Sequence, residues 1–578
     1  MQPPYDPDES ELVNHAPDEL CIDVSTTPAA AADQVYDQVQ SALNEALVRA
    51  HLVGLEGARF ESLARSGLSR DAKRHASRPW IEATLADTPE RSNWHLFYQL
   101  GPGRADFSPG QTAPRRRREE RLREFINALN SGALGTIAAP DGDTWRVAGA
   151  SPNWLTAALP FSCGSPASLP VGDSGPTDGR WRFHFGERLQ AELDRPPSDR
   201  PARVVVAVLD TCPMGDKSQF ERHGNRYLAE VLDQLTILDT DADPAMPADY
   251  FRPPADAPLD WNACLPRWQE NMLRAPAPQA EFAMPDHGLF VSGIVHDIAA
   301  DADLYLLRVL NEFGVGDLVA LEKVLRGLPE FLLRNASAPT RIIINLSLGA
   351  AVPVPRQRYF LRWFPDLAGG RWAWPDETSN LLLEGAHRGL ANTMRWLRDQ
   401  GVLVVAAAGN DAQRPHIGPE PPPPRYPAYY ESVFAVAAAQ ADAHPAPYSN
   451  KGDVEPLGNG ITTFGGNVLD NDARERPPLP DPRASVVGVY STSVLPGSTR
   501  PNASGWVRWS GTSFAAPIIA GVAARLWQQD ARQTPEQLIE RLRACARSIP
   551  GQRGRTGDPD GPLDAPYLQA WQEFEAYA

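Results

Sequence analysis

One serine near the C-terminal end of the chain stands in a setting that suits a nucleophile. The sequence Ser-Gly-Thr-Ser-Phe-Ala-Ala-Pro fills residues 510–517 and continues into small, apolar residues. Pro517 fits the first turn of a helix, where its missing N–H breaks no hydrogen bond. Ser513 would then lie at the helix N-terminus, where unpaired N–H groups and the helix dipole favour developing negative charge. We therefore predict that Ser513 attacks a carbonyl carbon.

Such a nucleophile needs a base, a carboxylate that orients the base, and donors for the oxyanion. Asp210 ends the apolar run 203–210, a pattern typical of a buried parallel strand. His287 is followed by a glycine and an apolar stretch that predicts a helix. Asn410 ends a second apolar run, 401–410, and its amide can donate an N–H to an oxyanion. The chain thus offers a candidate for the base, for the orienting carboxylate and for the oxyanion donor.

In residue type, order and local spacing these blocks resemble the subtilisin-like serine proteases, the subtilases of peptidase family S8. The family order is Asp, His, a Ser-Leu-Gly strand, Ala-Ala-Gly-Asn and then Gly-Thr-Ser-x-Ala-x-Pro. The matching positions here are Asp210, His287, Ser347, Asn410 and Ser513. The resemblance implies an α/β fold, with a mainly parallel sheet flanked by helices and the site at the carboxyl ends of the strands.

The resemblance also implies a role for each catalytic residue. Ser513 would be the nucleophile, His287 the general base and then acid, and Asp210 the carboxylate that holds the imidazole tautomer. Asn410 would donate to the oxyanion beside the backbone N–H of Ser513. The reaction would be endopeptidic cleavage through an acyl-enzyme intermediate. His223 is a rival for the base because a glycine follows it too, but it lacks the small-residue pattern that follows His287.

Substrate binding is expected along the segment 342–349, which looks like the edge strand against which subtilases align an extended peptide. Recognition would then be β-augmentation, in which main-chain hydrogen bonds give affinity and pockets give side-chain preference. The resemblance implies two small-residue walls, formed by Ser347, Leu348 and Gly349 and by Ala407, Ala408 and Gly409. A later loop near residues 426–430 is altered, so the preference at the P1 position stays open.

Three departures from the family pattern surround these blocks. Cys212 stands where the family usually has a glycine, Leu289 and Phe290 replace a Thr-His pair, and Phe514 replaces a methionine. None of them removes a catalytic atom, although a Cβ at position 212 restricts the backbone beside Asp210. We favour simple packing for Cys212 over a redox role. Two alternatives remain: a catalytically impaired subtilase that acts as a peptide-binding or scaffolding module, and a dedicated peptide-processing protease.

Composition narrows the class of partner and the compartment. The net charge of −17 argues against nucleic acid as a partner. The first residues show neither the basic nor the apolar region of a secretory signal, and no apolar stretch is long enough to span a membrane. Five scattered cysteines fit reduced thiols better than a disulfide framework. We therefore predict a cytoplasmic protease whose activity must be restricted.

Residues 1–198 form an N-terminal region of uncertain fold, which we expect to be partly disordered. It is either a propeptide or a regulatory domain that senses a partner, and we favour the second. Residues 199–578 form the peptidase domain, with predicted insertions at about 239–284, 351–380 and 441–483.

No metal or other cofactor is expected to be required. Calcium often stabilises subtilases, but no Asp-rich loop in this chain has the spacing of calcium ligands. The partners expected are a protein or peptide substrate and, through the N-terminal region, a possible regulatory protein.

Overall fold

The computed structural model describes the chain in segments. These are residues 15–27, 32–50, 58–62, 92–101, 121–122, 124–130, 136–138, 142, 144–157, 170–173, 175–196, 203–213, 224–238, 284–310, 314–334, 340–350, 389–412, 421–452, 459–467, 485–492, 502–546 and 566–577. The start of the chain, His223 and the predicted insertions at 239–284 and 351–380 lie outside them, apart from residue 284.

The described residues form strands and helices along the whole chain. The strands are β1 (His15–Thr26), β2 (Arg59–Ser62), β3 (Ser92–Gly101), β4 (Thr136–Ala138), β5 (Thr144–Ala157), β6 (Val171–Asp173), β7 (Gly179–Phe185), β8 (Arg203–Asp210), β9 (Leu235–Leu238), β10 (Asp303–Arg308), β11 (Val315–Asp317), β12 (Thr340–Leu346), β13 (Gly349–Ala350), β14 (Leu403–Ala407), β15 (Phe434–Ala439), β16 (Gly460–Phe464), β17 (Val486–Val489), β18 (Trp506–Trp509), β19 (Tyr567–Leu568) and β20 (Ala570–Ala576). The helices are α1 (Ala32–Ala50), α2 (124–130), α3 (Glu187–Leu193), α4 (Arg226–Gln234), α5 (His287–Ile298), α6 (Leu318–Arg334), α7 (389–399), α8 (Thr512–Gln529) and α9 (Pro535–Cys545).

The central sheet has eight strands in the order β19-β16-β15-β14-β12-β8-β10-β9. Every neighbouring pair in it is parallel. A parallel sheet needs a crossover between successive strands, and such crossovers place helices on its faces. This architecture confirms the predicted α/β fold.

The apolar run of β8 is buried because both faces of the sheet are covered. The even-numbered residues from 204 to 208 belong to one hydrophobic core and the odd-numbered residues from 205 to 209 to another. Helices α5 and α8 pack into the first core, and α6 and α7 into the second. Burying a side chain of this size contributes about 1.5–3 kcal/mol, so strands covered on both faces need a continuous apolar sequence rather than an alternating one.

The segment 342–349 is not an edge strand, which corrects the sequence prediction. Its first part, β12, lies inside the central sheet between β8 and β14. The chain leaves the sheet at Ser347 and continues as the short strand β13, which lies outside the central sheet. Within the segment 342–349, β13 is therefore the part that lies outside the central sheet and can pair with an extended peptide.

The predicted insertion at about 441–483 is only in part a loop. It contains β16, a fully buried strand that lies between β15 and β19. The sequence Gly-Ile-Thr-Thr-Phe is short and half polar, and for this reason its pattern did not indicate a buried strand.

The N-terminal region contains its own antiparallel sheet, in the order β5-β1-β3-β2, with β4 paired to β5. Apolar residues of β1 and β3 share a core with one face of α1, as for Val35 and Val39. Helix α1 thus covers one face of this sheet. The end of β5 also pairs antiparallel with β11 and β13 from the C-terminal part of the chain, so this sheet extends to Gly349 of the predicted site.

No helix in the described segments is long and apolar enough to cross a bilayer. The C-terminal strand β20 pairs with β7, and β18 pairs with β6. These pairings join two strands from the C-terminal part of the chain to strands that precede β8.

Candidate active site

Asp210 and His287 meet where β8 ends and α5 begins. The Nδ1 atom of His287 lies 2.8 Å from Oδ1 of Asp210, and both side chains are fully buried. The same carboxylate oxygen accepts a hydrogen bond of 2.7 Å from the backbone N–H of Thr211. Because a carboxylate oxygen can only accept, the Nδ1 atom must carry a proton, which leaves Nε2 as the nitrogen that can take a proton from a nucleophile.

A glycine and a threonine allow this close approach. A Cβ at Gly288 would overlap the carbonyl oxygen of Thr211, so the start of α5 can lie against the end of β8 only without a side chain there. The Thr211 hydroxyl donates to the carbonyl oxygens of Met284 and Pro285 and accepts from the N–H of Gly288. Thr211, which the sequence analysis did not single out, therefore fixes the turn that carries the histidine.

Ser513 lies in the first turn of α8, as predicted, and is fully buried. Its hydroxyl donates to the carbonyl oxygen of Ser347 at 3.2 Å, and the Ser347 hydroxyl donates to the carbonyl of Ser513 at 2.7 Å. Within the described segments Nε2 of His287 has no hydrogen-bond partner. The structure thus joins Asp210 to His287, but it does not show the expected hydrogen bond from Ser513 to His287.

Aromatic rings surround the imidazole of His287. The ring of Trp509 meets it edge to face with centroids 5.2 Å apart, and the ring of Phe514 lies at 5.4 Å. Phe290 lies against both of these rings. An apolar enclosure limits the choice of imidazole rotamer and strengthens its interaction with the Asp210 charge. Trp509 stands four residues before Ser513, but nothing in its sequence context indicated this contact.

The side-chain amide of Asn410 is oriented by Thr512. Its Oδ1 atom accepts from the backbone N–H of Thr512 at 3.0 Å and from the Thr512 hydroxyl at 3.1 Å. A backbone N–H can only donate, so the oxygen must face Thr512 and the amide N–H₂ must face away. That nitrogen is buried without a hydrogen-bond partner in the described part of the chain. An unpaired donor beside a serine is the arrangement that an oxyanion requires.

The residues predicted to form the two substrate walls offer mainly backbone. The side chains of Leu348, Ala407 and Ala408 are fully buried, so these residues can contact a peptide only through main-chain atoms. Gly349 pairs with Ala157 of β5. Gly409 has a φ of +111°, and a Cβ there would lie 2.7 Å from the Asn450 amide, which explains the glycine before Asn410.

The donors around the site do not form a metal centre. No group of three or more His, Cys, Asp or Glu residues suited to a metal ion occurs among the residues that the structure describes. Cys212 is buried in the apolar core that also holds Leu289 and Phe290, in keeping with the predicted packing role.

The geometry supports acyl-transfer chemistry. An imidazole held by a buried carboxylate, a serine at a helix N-terminus and an unpaired amide donor are the parts that attack on a carbonyl needs. The serine and the imidazole are not hydrogen-bonded to each other, but such bonds are often long or misaligned in structures without substrate.

Comparison with known proteins gives consistent matches over this part of the chain. The model of the subtilase family matches residues 202–558. The subtilisin-like protease PopC of Myxococcus xanthus (strain DK1622) is 30% identical over 263 residues, which are 44% of this chain and 44% of PopC. The minor extracellular protease Epr of Bacillus subtilis (strain 168) is 26% identical over 266 residues, 44% of this chain and 29% of Epr.

A subtilisin of Bacillus sp. (strain TA39) is 25% identical over 235 residues, 41% of this chain and 42% of that protein. The matched part is thus less than half the length of each of these three relatives.

Proposed function

Because the chain belongs to the subtilase family, we propose that it is a serine endopeptidase with Ser513, His287 and Asp210 as its catalytic triad. The observation that carries the proposal is the buried Asp210–His287 hydrogen bond, with a serine and an unpaired amide donor beside it. Incubation with an unfolded protein, followed by mass spectrometry of the fragments, tests it. Internal cuts support an endopeptidase, whereas a substrate left intact both by the wild type and by a His95→Leu variant, in which the N-terminal sheet should be released, contradicts it.

The reaction begins when Ser513 leaves the carbonyl of Ser347 and turns its hydroxyl toward Nε2 of His287. The imidazole takes the hydroxyl proton as the oxygen attacks the substrate carbonyl, and the Asp210 carboxylate stabilises the imidazolium that forms. His287 then gives the proton to the leaving amine. In the second half of the reaction, water attacks the acyl-enzyme by the same route and releases Ser513.

The tetrahedral intermediate places a negative charge on the former carbonyl oxygen. Asn410 meets this charge with its unpaired N–H₂ group, which Thr512 already holds in place, so little reorganisation is needed during the reaction. The backbone N–H of Ser513, at the N-terminal end of α8, is the second donor. Helix N-termini favour developing negative charge.

Replacing Asn410 with Ala should lower kcat about 10²- to 10³-fold and change KM little. The donor acts on the intermediate more than on the bound substrate, and the expected range comes from the corresponding loss in a subtilisin. Asn225→Ala is a matched control, since it also removes a buried amide with two hydrogen bonds but lies at the start of α4. Steady-state kinetics of both variants would contradict the role if their kcat values were alike.

The N-terminal sheet is proposed to hold the enzyme in a latent state. The last residues of β5 lie between two strands of the peptidase domain, with Ala157 opposite both Val315 and Gly349. An extended peptide would bind in the same way, because β-augmentation adds a strand to an exposed sheet edge. The chain's own strand therefore occupies the place of a substrate. An activating partner would have to displace it.

A buried ionic cluster helps to hold this sheet on the peptidase domain. His95 of β3 contacts Asp23 of β1 at 2.6 Å and Glu322 of α6 at 3.5 Å. Arg326 is the further charged group that faces it. Burial works against the charged imidazole, but Glu322 and Asp23 outweigh it and raise the pKa of His95 to about 9. At neutral pH His95 is therefore a buried cation that faces the carboxyl groups of Asp23 and Glu322.

Replacing His95 with Leu should raise the activity of the full chain toward a short peptide at least about tenfold. Removing one partner of a buried ion pair costs about 3–5 kcal/mol, and each 1.4 kcal/mol is about a factor of ten, so the docked sheet should be released more often. The control is His444→Leu, which removes an exposed histidine paired with Asp442. Equal activities of the His95 variant and the wild type would refute the latch.

The same cluster predicts a pH dependence. Because the pKa of His95 is raised in the folded state, its stabilising contribution is fully present below about pH 6.5 and is lost as the pH rises through about 9. The wild-type activity should therefore climb between about pH 8 and 10. If the activity of the His95→Leu variant still rises over this pH range, a group other than His95 causes the rise.

We propose that the enzyme acts inside the cell on a restricted set of protein or peptide substrates. Cys21, Cys212 and Cys545 are present as buried thiols, the state that a reducing compartment maintains. Fractionation of the producing cells, with antibodies against the chain, tests this location.

A further inference from the structure

The residue before the proposed base is a buried acid that the mechanism does not use. Asp286 is fully buried and precedes the first residue of α5, but its carboxylate makes no hydrogen bond to that helix. It binds instead to the segment that follows β17. The Ser491 hydroxyl donates to Oδ1 at 2.9 Å, and the backbone N–H and hydroxyl of Thr492 both donate to Oδ2 at 2.6 Å.

The segment that holds Asp286 is itself tied to the strand that leads to the nucleophile. The Asn502 amide donates to the carbonyl oxygens of Tyr490 at 2.8 Å and of Thr492 at 3.3 Å. Asn502 lies shortly before β18, which ends at Trp509 against the ring of His287. A continuous set of hydrogen bonds thus runs from the β18 side of the site to the turn that carries the base.

Close packing between α5 and β17 leaves little room for the contact of Asp286 with Ser491 and Thr492 to shift. A Cβ at Gly293 would lie 2.8 Å from the Val489 side chain, and one at Gly488 would lie 2.7 Å from the ring of Phe290. The helix therefore lies directly on β17. The turn before it is held by two sets of hydrogen bonds, one from Thr211 beside Asp210 and one from the residues that bind Asp286.

We propose that Asp286 is a positioning residue that fixes His287 between Asp210 and Ser513 by binding Ser491 and Thr492. The inference rests on the proposed function. Asp286 touches no reacting atom, so its effect on the reaction passes through the place of the imidazole. A displacement of about 1 Å of a catalytic group can lower a rate on the order of 10²-fold.

Asp286→Asn tests the proposal because it keeps the size of the side chain but replaces one acceptor oxygen with a donor. We expect kcat to fall roughly 10- to 100-fold with KM nearly unchanged. The matched control is Asp297→Asn, at the other end of α5, where a buried carboxylate accepts a 2.7 Å hydrogen bond from the N–H of Phe183. That variant should lose thermal stability but keep kcat.

A second variant keeps the test independent of folding. Thr492→Val removes one of the three hydrogen bonds to the carboxylate and should lower kcat less than Asp286→Asn does. The double variant should not be additive, since both changes break the same contact. Titration of active serines with a fluorophosphonate counts the folded sites, so that kcat refers to them alone.

Two results would overturn the proposal: an unchanged kcat per titrated site in Asp286→Asn, or an equal loss of kcat in Asp297→Asn. Failure of the proposed function is distinguishable, because neither the wild type nor the His95→Leu variant would then show a titratable serine or hydrolysis.

Discussion

Replacing Ser513 with Ala is expected to abolish peptide-bond hydrolysis, with kcat falling by a factor on the order of 10⁶. The variant keeps the helix and its packing but removes the one oxygen that can form the acyl-enzyme. The small residual rate would come from the oxyanion donors and from binding alone, since these act without the nucleophile. Steady-state kinetics on a peptide with a fluorogenic leaving group measures the loss.

Ser292→Ala is the matched control for this experiment. Ser292 is also a fully buried helical serine, and its hydroxyl donates to the carbonyl of Gly288 one turn earlier at 2.8 Å. Its loss should leave kcat within a small factor of the wild type. If the Ser513 variant kept a substantial part of the wild-type rate, another residue would have to be the nucleophile.

Replacing Asp210 with Asn should lower kcat on the order of 10⁴-fold while the protein still folds. The N–H of Thr211 binds Oδ1, the same oxygen that faces His287. The amide of the variant can offer at most a neutral oxygen there, so the imidazolium formed in the transition state loses its counter-charge. In a site without exposed surface that charge is poorly screened, and its loss is felt strongly.

Asp303→Asn is the control for the loss of a carboxylate at the central sheet. Asp303 begins β10 and pairs with Arg203 at the surface, where ion pairs contribute little. It should keep the wild-type kcat. Similar kcat values for the Asp210 and Asp303 variants would mean that Asp210 has no catalytic role and is only the last residue of β8.

The sequence predicted the peptidase fold because its signals are local. Apolar runs that end in Asp210 and Asn410, and small residues after His287 and Ser513, each report on a single buried strand or helix. The family order of these blocks then implied that the four side chains share one end of the sheet. In the structure Asp210 contacts His287, and Asn410 contacts Thr512 next to Ser513, as that order requires.

What could not be predicted depends on contacts between distant parts of the chain. Strand order is not written in any one strand, so β12 was expected at an edge, although it lies inside the sheet. The pairing of β5 with β11 and β13, and the contact of His95 with Glu322, join the N-terminal region to the peptidase domain. No local pattern marks such pairs. The hydrogen bonds of Asp286 were missed for the same reason.

The most direct test of Ser513 as the nucleophile activated by His287 is labelling with a fluorophosphonate probe, followed by mapping of the modified residue by mass spectrometry. The probe reacts with an activated serine and not with an ordinary one. We expect one label, on Ser513. It should form faster in the His95→Leu variant and should be lost in the His287→Ala variant. A label on another serine, or equal labelling of Ser513 with and without His287, would contradict it.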